Sequence, residues 1–174
     1  MIRPGTGERV VLWLRGFMSG RPGIRSSNGF EPRNGVVMTE YERSRTMPAL
    51  PEHIFDQAAN VDQLDQWLPE ALHVRAEELP AVTVHEDRTD EDTSALLRAQ
   101  KDQMRLEWGT RDQGSYTGWL QVAGLGSGAS EVTVHLSFFD EDHDPGEKAV
   151  NDALDHSLER LERQVRLRVD NAAG

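Results

Sequence analysis

Order first appears at residues 40–47, an extended stretch that reads as a strand. Pro48 and Pro51 stop it, because proline cannot donate to a ladder and restricts the residue before it. Helical spacing takes over next: Ile54, Phe55 and Ala58 form one short apolar face. Val61, Leu64, Trp67 and Leu68 form a second, with Asn60 placed to cap it and Pro69 to end it. From residue 72 to about 139 the period becomes two. Leu72/Val74/Ala76, Val82/Val84, Met104/Leu106/Trp108, Leu120/Val122 and Val132/Val134/Leu136/Phe138 each alternate with polar neighbours, the pattern of an antiparallel sheet buried on one face. Breaks fall at Leu79-Pro80 and at 89–92, 100–102, 111–114 and 124–128, which predicts six consecutive strands; the strand at Leu96-Leu97 can be read in either register. Residues 146–169 contain no interior proline or glycine, and Val150, Leu154, Ser157, Leu158, Leu161, Val165 and Val169 form a stripe at helical spacing. A long amphipathic helix therefore closes the chain. Its acidic residues dominate the early turns, while Arg166 and Arg168 lie near the end, as the helix dipole favours.

A length of 174 residues with 37% hydrophobic content suits one α+β domain. The charge divides it. Residues 1–37 carry six arginines against Glu8 and Glu31, and their glycines and prolines interrupt any regular element, so this stretch is expected to be a largely disordered extension. Met38-Thr39-Glu40 reads as a natural start, with what precedes it an upstream extension or a mispredicted start. A secretory signal would need a longer apolar run and a small-residue cleavage site; the composition only loosely fits a transit peptide. The expected domain is 38–170, followed by a tail at 171–174. The sequence has no cysteine, which removes disulfides, thiolate nucleophiles and cysteine metal sites. The formal net charge of -11 argues against nucleic acid as a partner, and no apolar run is long enough to span a bilayer. A cytoplasmic protein is expected. The arginine-rich, lysine-poor, alanine- and glycine-rich composition suits a high-GC bacterium.

Local sequence adds to this outline. Ser44-Arg45-Thr46-Met47-Pro48-Ala49-Leu50-Pro51-Glu52-His53-Ile54-Phe55, the Trp67-Leu68-Pro69 helix end, and Gly118-Trp119-Leu120-Gln121-Val122 followed by a glycine turn and residues 130–138 resemble the START-like, or SRPBCC, superfamily. That superfamily includes the polyketide cyclase/dehydrase-like and Bet v 1-like proteins. Its usual Ala-Pro is here Ala49-Leu50-Pro51. The resemblance implies a helix-grip fold: a curved antiparallel sheet of about seven strands wrapped on the C-terminal helix, with two short helices after the first strand. These motifs are signatures of fold, and the superfamily's functions range from lipid carriage through polyketide cyclisation to chaperone assistance, so architecture is implied more firmly than activity.

The same resemblance implies a ligand cavity between sheet and terminal helix. The expected lining is Met104, Leu106, Trp108, Tyr116, Leu120, Val134 and Leu136 from the strands, Leu154 and Leu158 from the helix, and Trp67 from the second short helix. Each is equally a packing residue of a two-layer domain. Cyclisation or dehydration would need a buried acid/base pair. His85 and His135 alternate with apolar positions and should face water; Arg43, Arg45 and Arg98 read as solvated charges; Glu86 and Glu107 would need a shifted register to face inward; Tyr116 could donate to a carbonyl. No catalytic residue is assigned. The acidic run Asp140-Glu141-Asp142-His143-Asp144 lacks the glycine and glutamate spacing of an EF-hand and reads as a turn. In it Asp144 would cap the last helix ahead of Pro145. Gly124, Gly126 and Gly128 lead into a strand, not a helix, and read as a hairpin turn. No metal or cofactor is expected. The leading expectation is a non-catalytic module for a small apolar or amphipathic molecule. The alternatives are a polyketide cyclase, aromatase or dehydratase-like enzyme, and a module that docks a protein partner.

Overall fold

The structure is a computed structural model and describes residues 38–87, 90–110, 116–139 and 144–173. Residues 1–37 and most of the acidic run 140–144 lie outside these, so the expectations for the N-terminal extension and for that run as a turn fall outside the described residues. Strand β1 (Thr39–Met47) leads into helix α1 (Pro51–Ala58) and a 3-10 segment (Val61–Gln66). Six strands follow: β2 (Leu72–Ala76), β3 (Ala81–Glu86), β4 (Glu91–Gln100), β5 (Arg105–Thr110), β6 (Tyr116–Gly126) and β7 (Ala129–Phe138), before helix α2 (Glu147–Ala173). The strands make one antiparallel sheet in the order β1-β7-β6-β5-β4-β3-β2, a meander to which β1 returns beside the last strand. The curved sheet grips α2 as the sequence led us to expect. No helix among the described residues is long and apolar enough to cross a membrane.

Local chemistry explains the boundaries. Pro51 stands at the start of α1, where its missing N–H costs nothing, and Ile54, Phe55 and Ala58 are buried. The second expected short helix is a 3-10 segment instead. The Asn60 side chain accepts from the Asp62 N–H, Gln63 and Trp67 close three-residue turns, and Pro69 prevents the segment from settling into α geometry beyond Leu68. Between β6 and β7, Ser127 (φ 51°) and Gly128 (φ 79°) form the two-residue left-handed turn that matches strand twist. Met104 departs from expectation: it does not begin β5 but takes a left-handed conformation (φ 50°) capping a short 3-10 turn at Lys101–Gln103. Helix α2 runs through Ala173, beyond the expected end at 169, because no helix breaker intervenes before Gly174. Its start differs too. Asp144 Oδ1 accepts from the Gly146 N–H at 2.9 Å, so Pro145 precedes the helix instead of opening it.

Core packing follows the two periodicities. Leu120, Val122, Val132, Val134, Leu136 and Phe138 meet Val150, Leu154, Leu158, Leu161 and Val165 of α2. Strand β1 is the exception. Its helix-facing positions are Tyr41, Arg43, Arg45 and Met47, and the arginines are not simply solvated. Tyr41 donates to the Asp144 carboxylate at 2.7 Å, Arg43 stands 3.5 Å from Asp155, and Arg45 donates to Glu162 with Glu159 at 3.7 Å. β1 therefore meets α2 through a seam of charges facing complementary charges. The Arg45 hydrogen bond, with Arg166 adding to it against the opposing effect of burial, holds the Glu162 carboxyl below the usual carboxylate range.

Candidate functional site

The inner faces of β2 to β5 would bury poorly against α2, which lies against β1, α1 and the 3-10 segment. The 3-10 segment covers them in its place. Between them lies a cavity of about 90 Å³, walled by Leu64, Trp67 and Leu68 above, Leu72, Val74, Val82, Val84, Ala95, Leu97 and Leu106 below, and Leu96, Trp108, Gly109 and Tyr116 at one end. Leu96 is 38% exposed and marks the rim.

Four residues expected to line a cavity are brought together here: Trp67, Leu106, Trp108 and Tyr116. The others are not. Leu120, Val134, Leu136, Leu154 and Leu158 are buried in the solid core beneath α2, and Met104 packs half-buried at its edge. The cavity thus lies between the sheet and the 3-10 segment, and no described residue of α2 lines it. Leu64, Leu68, Leu72, Val82 and Leu97 were legible as apolar positions, but nothing in their spacing distinguished a cavity wall from a filled core.

The end wall depends on a missing side chain. Trp108 pairs across the sheet with Gly118, and a Cβ on that glycine would stand 2.5 Å from the indole. The ring therefore lies on bare backbone, from which its Nε1–H donates to the Tyr116 hydroxyl at 2.8 Å. Burial pushes the Tyr116 phenol well above its ordinary value, so it stays neutral. Trp67 is the second indole of the wall. It is 3% exposed, and its Nε1 has no hydrogen-bond partner among the described residues. Leaving such a donor unpaired costs about 1–3 kcal/mol.

The segment over the cavity is tied on two sides. Arg160 of α2 donates to the backbone oxygens of Asp65 and Gln66 at 2.9 and 3.1 Å. Asp65 also accepts from the Val74 N–H, and its other oxygen meets His73 Nδ1 at 2.8 Å, while His73 Nε2 lies 3.1 Å from Asp87. These carboxylates, Asp65 first, raise the His73 pKa above its ordinary value against the opposing effect of burial. Because the folded pKa is the higher one, the stabilisation is complete below about pH 6.5 and is lost as pH rises through the folded value. We expect His73 to titrate by NMR with a midpoint above about 6.5, and Asp65→Asn to move it down. An unmoved midpoint in that variant would remove Asp65 as the cause.

The acid/base candidates are dispersed. Tyr116 alone among them lines the cavity. His85 lies on the other face of β3, 2.8 Å from Asp92; Glu107 faces outward between Arg105 and Gln100; Arg98 is exposed beside it. His135 faces outward but is stacked on Trp119 at 5.0 Å, and Arg105 also lies over the Trp119 ring. Glu86 needs no register shift to be buried. It shares the Val82–Val84 face, is 2% exposed, and does not line the cavity. Among the described residues no group of three or more His, Asp or Glu side chains is arranged to hold a metal ion.

Comparison with solved structures places the fold. An aromatase/cyclase from a Streptomyces species superposes with a TM-score of 0.65 at 15% identity, covering 79% of this chain and 99% of that one. Norcoclaurine synthase from Thalictrum flavum, solved with dopamine and hydroxybenzaldehyde, gives 0.59 at 10% identity over 84% and 96%. The protein XoxI from Bacillus cereus gives 0.60 at 14% identity over 72% and 94%. Comparison with curated proteins gives no match. A family profile described as polyketide cyclase / dehydrase and lipid transport matches residues 38–166. With that match over most of its length, and with the helix-grip architecture just described, the chain belongs to the polyketide cyclase / dehydrase and lipid transport family of the START-like superfamily.

Proposed function

We propose that this protein binds a small apolar or amphipathic molecule in the cavity between the 3-10 segment and strands β2 to β5, without transforming it. The observation that carries this reading is the cavity itself: an apolar space of about 90 Å³ walled by Trp67, Leu106 and Trp108. That volume is of the order of the roughly 150 Å³ apolar cavity that accepts benzene, and well below the roughly 300–1,000 Å³ that surrounds drug-sized ligands. A single ring or a short branched chain fits it; anything longer must pass the rim at Leu96 or lift the 3-10 segment. The family's cyclase activities would require groups for proton transfer. Tyr116 borders the cavity, but its hydroxyl is engaged by the Trp108 indole, and Arg98, Glu107 and His85 face away, which favours holding over turnover.

Native mass spectrometry of the purified full chain, beside a denatured control, tests this directly. A reproducible adduct of low mass that Trp108→Ala diminishes is the expected result. A protein that emerges empty, and that also fails to bind benzene, toluene and indole, would refute the binding reading.

A further inference from the structure

We propose that a hollow on the outer face of the sheet, turned away from α2 and from the apolar cavity, is a second binding site, and that it takes a small carboxylate carried on an aromatic body. It stands independently of the binding reading above, because the sheet itself separates the two places.

The hollow lies where the outer face lacks a side chain. Leu96 of β4, Gly109 of β5 and Thr117 of β6 form one cross-strand row of that face, and Arg98, Glu107 and Trp119 form the next. Gly109 leaves the middle of this group bare, and the space around it, about 360 Å³, is bordered by the other five and by Pro80. That volume falls within the roughly 300–1,000 Å³ typical of small-molecule sites. The apolar walls are fixed in place. Leu96 is held in the β4 ladder with part of its side chain uncovered, and Trp119 carries His135 stacked on its ring and the Arg105 guanidinium 4.3 Å from the ring centre.

The charge left available is positive. Glu107 stands directly across from Arg98, yet both of its oxygens are committed elsewhere: one accepts from Arg105 Nε at 2.7 Å and the other from the Gln100 amide at 3.0 Å. Arg105 and Gln100 belong to the row beyond, so they draw the carboxylate away from Gly109. Arg98 is then left without a hydrogen bond or ion pair to any described residue. A guanidinium donates in a planar fork that matches a carboxylate, while the walls of Leu96 and Trp119 suit an apolar ring. A single negative charge fits better than two, because a protein of net charge -11 repels a dianion more strongly than a monoanion.

The test uses 2-naphthoate and its neutral counterpart 2-naphthamide on the ¹⁵N-labelled full chain. Two fused rings exceed what the inner cavity holds, so these probes report on the outer hollow. Naphthoate is expected to shift the Trp119 indole and Gly109 amide signals, to bind more tightly than the amide, and to keep its Kd in saturating benzene. Arg98→Gln is expected to raise the naphthoate Kd about fivefold, the worth of one solvent-exposed charge pair, and to leave the amide unchanged. Displacement of naphthoate by benzene would put it in the inner cavity and overturn the second site. Equal affinity for acid and amide, or an Arg98→Gln variant that binds naphthoate as before, would overturn the carboxylate assignment, as would the absence of saturable binding. A Trp119 signal that moves with protein concentration alone would show the hollow to be a contact between copies of the chain, and would overturn it too.

Discussion

Phe138→Ala is expected to lower the free energy of unfolding by about 3–5 kcal/mol, a large share of what a domain of this size possesses. Phe138 ends β7, is 1% exposed, and meets the Tyr41 ring edge-on at 5.9 Å and the Tyr116 ring at 5.1 Å. Truncation removes apolar burial and leaves a void bordered by two tyrosines that other bonds hold in place: Tyr41 by Asp144, Tyr116 by Trp108. The site can collapse only partly, which puts the cost at the upper end of large-to-small substitutions. Urea unfolding should show a lower midpoint at an unchanged slope. The damage should reach the ligand site as well, because Tyr116 supports the end wall, so probe affinity should fall even at low temperature where the variant is folded. A midpoint equal to that of the unaltered protein would contradict the packing described for β7.

Gly118→Ala is expected to destabilise the fold by about 1–3 kcal/mol although alanine suits a strand better than glycine. The added methyl would stand 2.5 to 2.7 Å from three atoms of the Trp108 ring. That ring is rigid, so it must leave its seat and give up the bond to the Tyr116 hydroxyl. Two readouts follow: Trp108 fluorescence shifts to the red as the indole meets water, and binding of small apolar probes weakens. The control is the pair of substitutions. In a Trp108→Leu background, Gly118→Ala should cost much less than in the unaltered protein, since contacting residues are non-additive when one creates the other's clash. Equal costs in the two backgrounds would show that the strain lies elsewhere.

Much of this architecture was legible in the sequence because periodicity reports directly on local geometry. Alternation in Val132, Val134, Leu136 and Phe138 has one backbone conformation that buries all four, and the stripe from Val150 to Val169 fits only a helix lying on a surface. The outline of β1, two short turns of helix, six strands and a long helix followed from such patterns, while the family was suggested by local motifs such as Trp67-Leu68-Pro69 and Gly118-Trp119-Leu120-Gln121-Val122 set in that order of elements.

What periodicity could not decide is which buried face meets which. The core beneath α2 and the cavity beneath the 3-10 segment are written in the same apolar residues. Leu158 is enclosed and Trp67 borders open space because α2 lies against the β1 side of the curved sheet, leaving β2 to β5 to a shorter cover. The arginines of β1 read as solvated until α2 brought Asp155, Glu159 and Glu162 opposite them. Gly118 was legible only as part of a family-like strand motif until cross-strand register placed Trp108 on it. The sequence by itself determined the order of the elements and most of their buried faces, with Glu86 and the Leu96-Leu97 strand as exceptions, since these depend on interactions between near neighbours along the chain. Only the tertiary structure decided where the cavity lies and which polar groups find partners, since both depend on contacts between residues far apart in sequence.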